Sequence, residues 1–277
     1  MLKRKKFYRF ISNYKPIKYE ELSERDSRYD LKNKLSYAII NRRRFYFSLK
    51  YSLDCITKKD VKILDMGAYP GTFLRILQEY FCDYKFDLCG AGINMKPDFV
   101  EIMKSKNIKT LTVNLDPSNE QLKNKDYSNS IDLEDGSIDF VSALEIIEHF
   151  SSPFHMLAEA KRILKKGGKI LITTPNITRI GSAFKLLFGR TNLDTIASPG
   201  DYDEDNEWRL HTYEYSMKEL SELMTKAGFK VEEKIFFNSN STHFNVKSKK
   251  QQLADLIKLP FYLNPYWREN LLIVAGK

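Results

Sequence analysis

Glu145, Glu148 and His149 stand within one short string, EIIEHF, and a second histidine follows at His211. These residue types handle protons. An imidazole changes charge near neutral pH and can take a proton from a hydroxyl, while a neighbouring carboxylate orients the ring. The string thus offers His149 as a general base, with Glu145, Glu148 and His211 beside it. The plainer alternative is a Glu148–His149 pair that supports the start of the next helix. The residue types alone leave both open. The string follows a strand-like run, Ile138 to Leu144. Its side chains would therefore stand at a strand end, where open α/β sheets bind ligands.

A second stretch must position what those residues act on. Val61 to Leu77 reads VKILDMGAYPGTFLRIL. Val61, Ile63 and Leu64 form the short apolar run of a buried strand. Gly67 and Gly71 punctuate a turn, and Phe73, Leu74 and Leu77 recur at helical spacing. Strand, glycine turn and helix is a nucleotide-binding arrangement, although turns of this kind also occur for packing alone. The spacing is neither the G-x-G-x-x-G of dinucleotide sites nor a phosphate loop, since no Lys-Ser or Lys-Thr follows Gly71.

The pattern apolar-Leu-Asp-x-Gly-x-x-x-Gly resembles the first motif of class I S-adenosylmethionine-dependent methyltransferases. Downstream segments agree in order: a turn at Asp135-Gly136, the strand before Glu145, and an Arg-x-Leu-Lys-x-Gly-Gly stretch leading to Thr174-Pro175-Asn176. The resemblance covers roughly residues 61–277, less one insertion. It implies S-adenosyl-L-methionine as cofactor, with Asp65, Gly67, Ala68 and Gly71 along its methionine end. Asn94 then falls where relatives place a ribose-binding acid, Asn114 or Asp116 near the adenine, and Leu144 at the end of the fourth strand. An amide at Asn94 lacks the charge that strengthens a bidentate grip on two hydroxyls.

The implied fold is α/β: a Rossmann-like, doubly wound sheet of seven strands, mostly parallel, with the last antiparallel. Strands are expected at Lys85–Ile93, Ile108–Val113, Ile138–Leu144, Lys169–Thr173, Phe229–Phe237 and Leu271–Ala275, besides the one at Val61. Pro153 suits a helix start, Gly167-Gly168 reads as that helix's stop, and Ser216 to Ala227 reads as a further helix ended by Gly228. Residues 1–58 read as a basic helical extension, and 59–277 as the methyltransferase domain. Leu31 to Ile56 carries a helical pattern whose apolar residues fall on several faces, which predicts packing onto the main domain.

The 277 residues carry a formal charge of +9 and 42% hydrophobic residues, enough for a sizeable core. The basic balance favours an anionic partner, and much of it sits at Lys3–Lys6 and Arg42–Arg44. Three cysteines show no metal-like or disulfide-like spacing, which suits a reducing cytoplasm. No run reaches the length of a membrane span, and the basic start lacks a signal-peptide core. The expected location is cytoplasmic, with peripheral contact to an anionic membrane through the N-terminus.

The insertion at about 177–215 is the expected acceptor cover. Its first part reads as a helix ending near Gly189, followed by an acidic run, Asp201 to Glu207, among Tyr202, Trp208, Tyr213 and Tyr215. Rings and carboxylates suit a sugar or other polyhydroxylated acceptor, and the acidity argues against nucleic acid along this loop. The arrangement also resembles, more loosely, methyltransferases of bacterial surface-polysaccharide pathways. Sugar O-methylation is therefore the leading expectation. Glu145-x-x-Glu148-His149 with His211 also resembles the metal-binding pattern of small-RNA 3′-terminal ribose 2′-O-methyltransferases. Phe150 replaces a further histidine of that pattern, so no metal is expected. The remaining alternative is a cofactor-binding but inactive partner subunit.

Overall fold

The computed structural model describes residues 2–21, 36–56, 58–93, 95–118, 127–191, 211–239, 253 and 256–277. Asn94, the acidic run 201–207 and Trp208 lie outside them. The strands are β1 (Asp60–Met66), β2 (Lys85–Gly92), β3 (Ile108–Thr112), β4 (Ile138–Leu144), β5 (Leu164–Pro175), β6 (Lys230–Phe237) and β7 (Asn270–Gly276). They form one seven-stranded sheet in the order β3-β2-β1-β4-β5-β7-β6. The strands β1 to β5 pair in parallel, whereas β7 runs antiparallel to both β5 and β6. The expected sheet, with its last strand reversed, is the one observed.

Helices α4 (Thr72–Tyr80), α5 (Pro97–Ser105), α6 (Phe154–Ile163), α7 (Ile180–Leu187) and α8 (Met217–Lys226) alternate with these strands. One core joins Leu64, Met66, Val141 and Ile172 of the sheet to Met156 and Leu157 of α6 and Met224 of α8. The opposite core joins Ile63, Phe140 and Leu171 to residues of the N-terminal extension. The extension supplies α1 (Arg4–Ser12), α2 (Tyr37–Ile40) and α3 (Arg42–Cys55). Phe7, Ile11 and Leu49 are fully buried, so these helices complete the face that bare strands would leave open. An ion pair between Arg75 of α4 and Glu20 pins the segment after α1, and the Tyr14 hydroxyl donates to Glu20 at 2.7 Å.

Two local expectations change. The helical pattern at Leu31–Ile56 is broken: the short α2 ends at Asn41 before α3 begins, and 31–35 lie outside the described residues. Gly167-Gly168 does not stop a helix. The helix α6 ends at Ile163, where Leu164 turns extended, and β5 runs through the glycines. Ile138 pairs with Leu164 and Phe140 with Lys169, so residues 165–168 bulge out of the ladder. A Cβ on Gly168 would lie 2.9 Å from the Lys165 carbonyl oxygen, which is why a bulge here needs glycine.

Candidate active site

The β1–β4 register sets the site. Asp65 lies opposite Ser142 and Met66 opposite Ala143, so the turn after β1 and the loop after β4 emerge side by side. Gly67 (φ 74°) and Gly71 (φ 84°) bracket that turn in the left-handed region, and α4 starts at the next residue. A Cβ on Gly67 would stand 2.1 Å from Ile146 Cδ1, so the turn is pressed against the loop that carries the acids and histidine. The Gly67 N–H donates to Ala91 at 2.8 Å, and Ala68 is buried beside it. Asp65 is 4% exposed and accepts from the Ser142 hydroxyl at 2.6 Å. Burial pushes its carboxyl up to about 7, against the pull of Ser142 and Arg44.

These residues fit the methionine end of S-adenosylmethionine. The turn has no room for side chains, a buried carboxylate is fixed at its base, and the first N–H groups of α4 open onto it. The other expected contacts are distributed differently. Asn94 lies outside the described residues. Asn114 and Asp116 are buried past the end of β3. The Asn114 side-chain oxygen accepts from the Asp116 N–H at 3.0 Å. The Asp116 carboxylate accepts from Ser151 N–H at 2.7 Å, Ser152 N–H at 3.3 Å and the Ser118 hydroxyl at 2.8 Å. It holds the loop after His149 rather than standing open to a ligand. Leu144, the last residue of β4, lies opposite Thr173.

The loop after β4 brings the proton-handling residues together. Glu145 has a left-handed backbone (φ 53°), a conformation that costs a non-glycine residue about 1–3 kcal/mol and that clusters at functional sites. Its Oε2 lies 3.6 Å from Arg44 Nη1 on α3, and its buried Oε1 has no hydrogen-bond partner among the described residues. Glu148 is 1% exposed. Its Oε2 accepts from the Thr174 hydroxyl at 2.9 Å, while Oε1 has no hydrogen-bond partner among the described residues and lies 4.0 Å from His149 Nε2. Burial, reinforced by the Glu145 charge, raises the Glu148 carboxyl well above the usual range.

His211 arrives from the far end of the insertion. The Thr212 and Tyr213 N–H groups donate to the Glu148 carbonyl at 2.8 and 3.2 Å, which docks this end onto the loop after β4. The rings of His149 and His211 then meet edge to face, with centroids 4.8 Å apart. One ligand-type atom each from Glu148, His149 and His211 lies within 4.8 Å of the others, a grouping able to hold a metal ion. Phe150, which replaces the expected further histidine, is buried in the core. Glu148, His149 and His211 thus lie together, while Glu145 at the start of the same loop faces Arg44.

Sequence reasoning missed Arg44, Arg179 and Glu214. Arg44 was counted with a basic surface run, yet it is 7% exposed. Its guanidinium donates to the Tyr37 hydroxyl and faces Glu145, Glu148 and Asp65. Arg179 and Glu214 form a two-pronged ion pair at 2.7 and 2.8 Å. The only signal for Glu214 is its place three residues after His211.

Comparison with known proteins agrees with this geometry. The profile of a family described as a methyltransferase domain matches residues 33–234, well over half of the chain. A probable S-adenosylmethionine-dependent methyltransferase of Mycolicibacterium smegmatis is 33% identical over 101 residues, 36% of this chain and 32% of that protein. A ubiquinone biosynthesis O-methyltransferase of Coxiella burnetii is 24% identical over 129 residues, 46% of this chain and 49% of that one. The chain thus spans half or less of the curated relatives it matches. Among solved structures, a methyltransferase in complex with the Haloferax volcanii Trm112 activator superposes with a TM-score of 0.53 at 17% identity, covering 85% of this chain and 91% of that one. A Mesorhizobium loti S-adenosylmethionine-dependent methyltransferase gives 0.52 at 13% identity, with 84% and 97% covered. These two likenesses concern the fold. The profile match carries the rest: the chain belongs to the methyltransferase-domain family, with S-adenosyl-L-methionine as its cofactor.

Proposed function

We propose that the chain is an O-methyltransferase acting on a sugar or another small polyhydroxylated acceptor. The observation that carries this is the paired His149 and His211 beside the buried Glu148 carboxylate, next to the cofactor turn. A hydroxyl is a weak nucleophile and must lose its proton as it attacks, so a proton acceptor at this position serves O-methylation directly. When bound, the cofactor supplies a methyl group on a positively charged sulfur. Gly67, Ala68 and Gly71 leave room for its methionine end, and Asp65 steadies the turn. Glu148 places an acceptor-type oxygen 4.0 Å from His149 Nε2, able to take an acceptor hydroxyl. The Coxiella relative's role as an O-methyltransferase is in keeping with this reading, at the distance its partial coverage allows.

The test is methyl transfer from labelled S-adenosylmethionine to a panel of sugar nucleotides, lipid-linked saccharides and short RNA. Label on a sugar hydroxyl, lost in His149→Ala and His211→Ala with S-adenosylhomocysteine binding retained, is the expected outcome. Label on nitrogen or carbon overturns the proposal.

The grouping of Glu148, His149 and His211 favours one further reading, in which a divalent cation orients neighbouring hydroxyls. We keep the metal-free mechanism as the first reading, because the imidazole pair accounts for proton transfer unaided. Dialysis against a chelator separates the two: unchanged turnover supports it, and loss restored by Mg²⁺ or Mn²⁺ selects the cation. The exposed basic residues Lys3–Lys6 would attract an anionic membrane surface, where lipid-linked acceptors reside.

A further inference from the structure

The two ends of the insertion are clasped together directly behind His211. Arg179 stands just before α7, and Glu214 just before the helix-capping segment of α8. Their two-pronged ion pair is reinforced by a bridge between Asn176 and Tyr215 and by the Ile177 N–H donating to Tyr215 at 3.0 Å. The clasp carries a function beyond closure. Glu214 is 2% exposed, and its Oε1, which receives Arg179, also lies 3.5 Å from His211 Nδ1. Burial would push the Glu214 carboxyl up, yet His211 and Arg179 together hold it below the usual range, so it is ionised at neutral pH. A carboxylate on one ring nitrogen favours the tautomer with the proton there and leaves the other nitrogen free to accept.

We propose that Glu214 is a positioning residue, held by Arg179, that keeps His211 protonated at Nδ1 so that its Nε2 is the proton acceptor of the reaction. The assignment rests on the O-methylation reading and deepens it. As the acceptor oxygen forms its bond to the methyl carbon, the carbon–sulfur bond breaks with its electron pair going to sulfur. The hydroxyl proton passes to His211 Nε2, and the imidazolium is balanced by Glu214. Among the described residues, His149 and Glu148 on the loop after β4 also face His211, and Arg179 stands on the far side of Glu214.

The tautomer can be read without knowing the acceptor. The chain has four histidines, so long-range ¹⁵N correlation spectra of the whole protein resolve each ring. Wild-type His211 should show Nδ1–H, and Glu214→Gln a mixture of tautomers, with the fold and S-adenosylhomocysteine affinity intact. Should Glu214→Gln not fold, Arg179→Lys provides the same comparison with a weakened clasp. With an acceptor in hand and a chelator in every buffer, Glu214→Gln should lower kcat roughly 10-fold to 100-fold at constant KM. Glu214→Asp should recover part of the rate. Wild-type His211 protonated at Nε2, or a tautomer unchanged in Glu214→Gln, overturns the assignment. A product methylated on nitrogen beside the expected tautomer would instead sink the O-methylation reading and leave the Glu214–His211 geometry standing.

Discussion

Arg44 Nη1 on α3 and Glu145 Oε2 past the end of β4 lie 3.6 Å apart, and each side chain is at least four-fifths buried. A residue of the N-terminal extension thus stands inside the candidate active site as the cation among Asp65, Glu145 and Glu148. Removing one partner of a buried ionic cluster leaves the others uncompensated, at about 3–5 kcal/mol. Arg44→Met should therefore lower the unfolding free energy measured in urea by a comparable amount. It should also raise the pH at which Asp65 and Glu148 ionise, so the loss grows from pH 5 to pH 8. A stability unchanged at pH 8 would show that Arg44 does not balance these acids.

Gly67 tests the cofactor turn. Valine there meets two obstacles, a left-handed backbone at φ 74° and the Ile146 side chain within 2.1 Å of the new Cβ. Strain of about 1–3 kcal/mol in a surface-opening turn is tolerable for the fold, but it displaces the backbone that must approach the cofactor. Calorimetry on folded Gly67→Val should show S-adenosylhomocysteine affinity reduced at least about 10-fold, which is the effect of about 1.4 kcal/mol. Wild-type affinity in the variant would place the cofactor elsewhere.

Asp65 makes a pH prediction whose sign is unusual for an acid. Its folded pKa, about 7, lies above the ordinary carboxylate value because burial penalises the charge. Between the unfolded value near 4 and about 7 the folded state binds more protons, so stability falls as pH rises through that window. Asn cannot ionise, yet its side-chain oxygen can still accept from Ser142. Relative to Asp65→Asn, the wild type should lose about 2–3 kcal/mol between pH 5 and pH 8 in urea unfolding without cofactor. Parallel pH dependence in the two proteins would mean that Asp65 titrates normally.

The sheet was legible because its signals are local. The apolar run at Val61–Leu64, the Gly67 and Gly71 turn and the run before Glu145 each announce their element. The helix read from Ser216 to Ala227 is observed as α8, and it opens on a reciprocal capping box between Ser216 and Glu219. The grouping of Glu148 with His149 followed from their adjacency. Arg44 was illegible because its neighbours are set by tertiary packing: Arg42, Arg43 and Arg44 look alike as a basic run, and only the docking of α3 buries the third. Gly167-Gly168 misled for a similar reason. A paired glycine after a helical pattern signals a stop, whereas the β4 register makes it a bulge inside β5.

The N-terminal charge separates glycan from RNA. Lys3, Arg4, Lys5 and Lys6 are exposed, while Phe7 and Ile11 of the same helix are fully buried. The apolar face of α1 is therefore engaged within the fold, against Tyr46 of α3 and Tyr80 of α4, and any membrane contact there is electrostatic. Deleting the helix would strip Phe7 from the core, so the informative change is Lys3, Arg4, Lys5 and Lys6 to Gln together. Each basic residue near an anionic surface contributes up to about 1 kcal/mol, so binding to vesicles containing phosphatidylglycerol should fall by at least about 10-fold. Turnover of a short, water-soluble sugar acceptor should be unchanged. An RNA acceptor makes the opposite prediction, since each phosphate neutralised on a single strand adds roughly 0.7 to the slope of log affinity against log salt. Binding of short RNA with a steep salt slope, accompanied by methyl transfer to ribose, would replace the glycan reading. A shallow slope, with label only on the sugar acceptor, supports it.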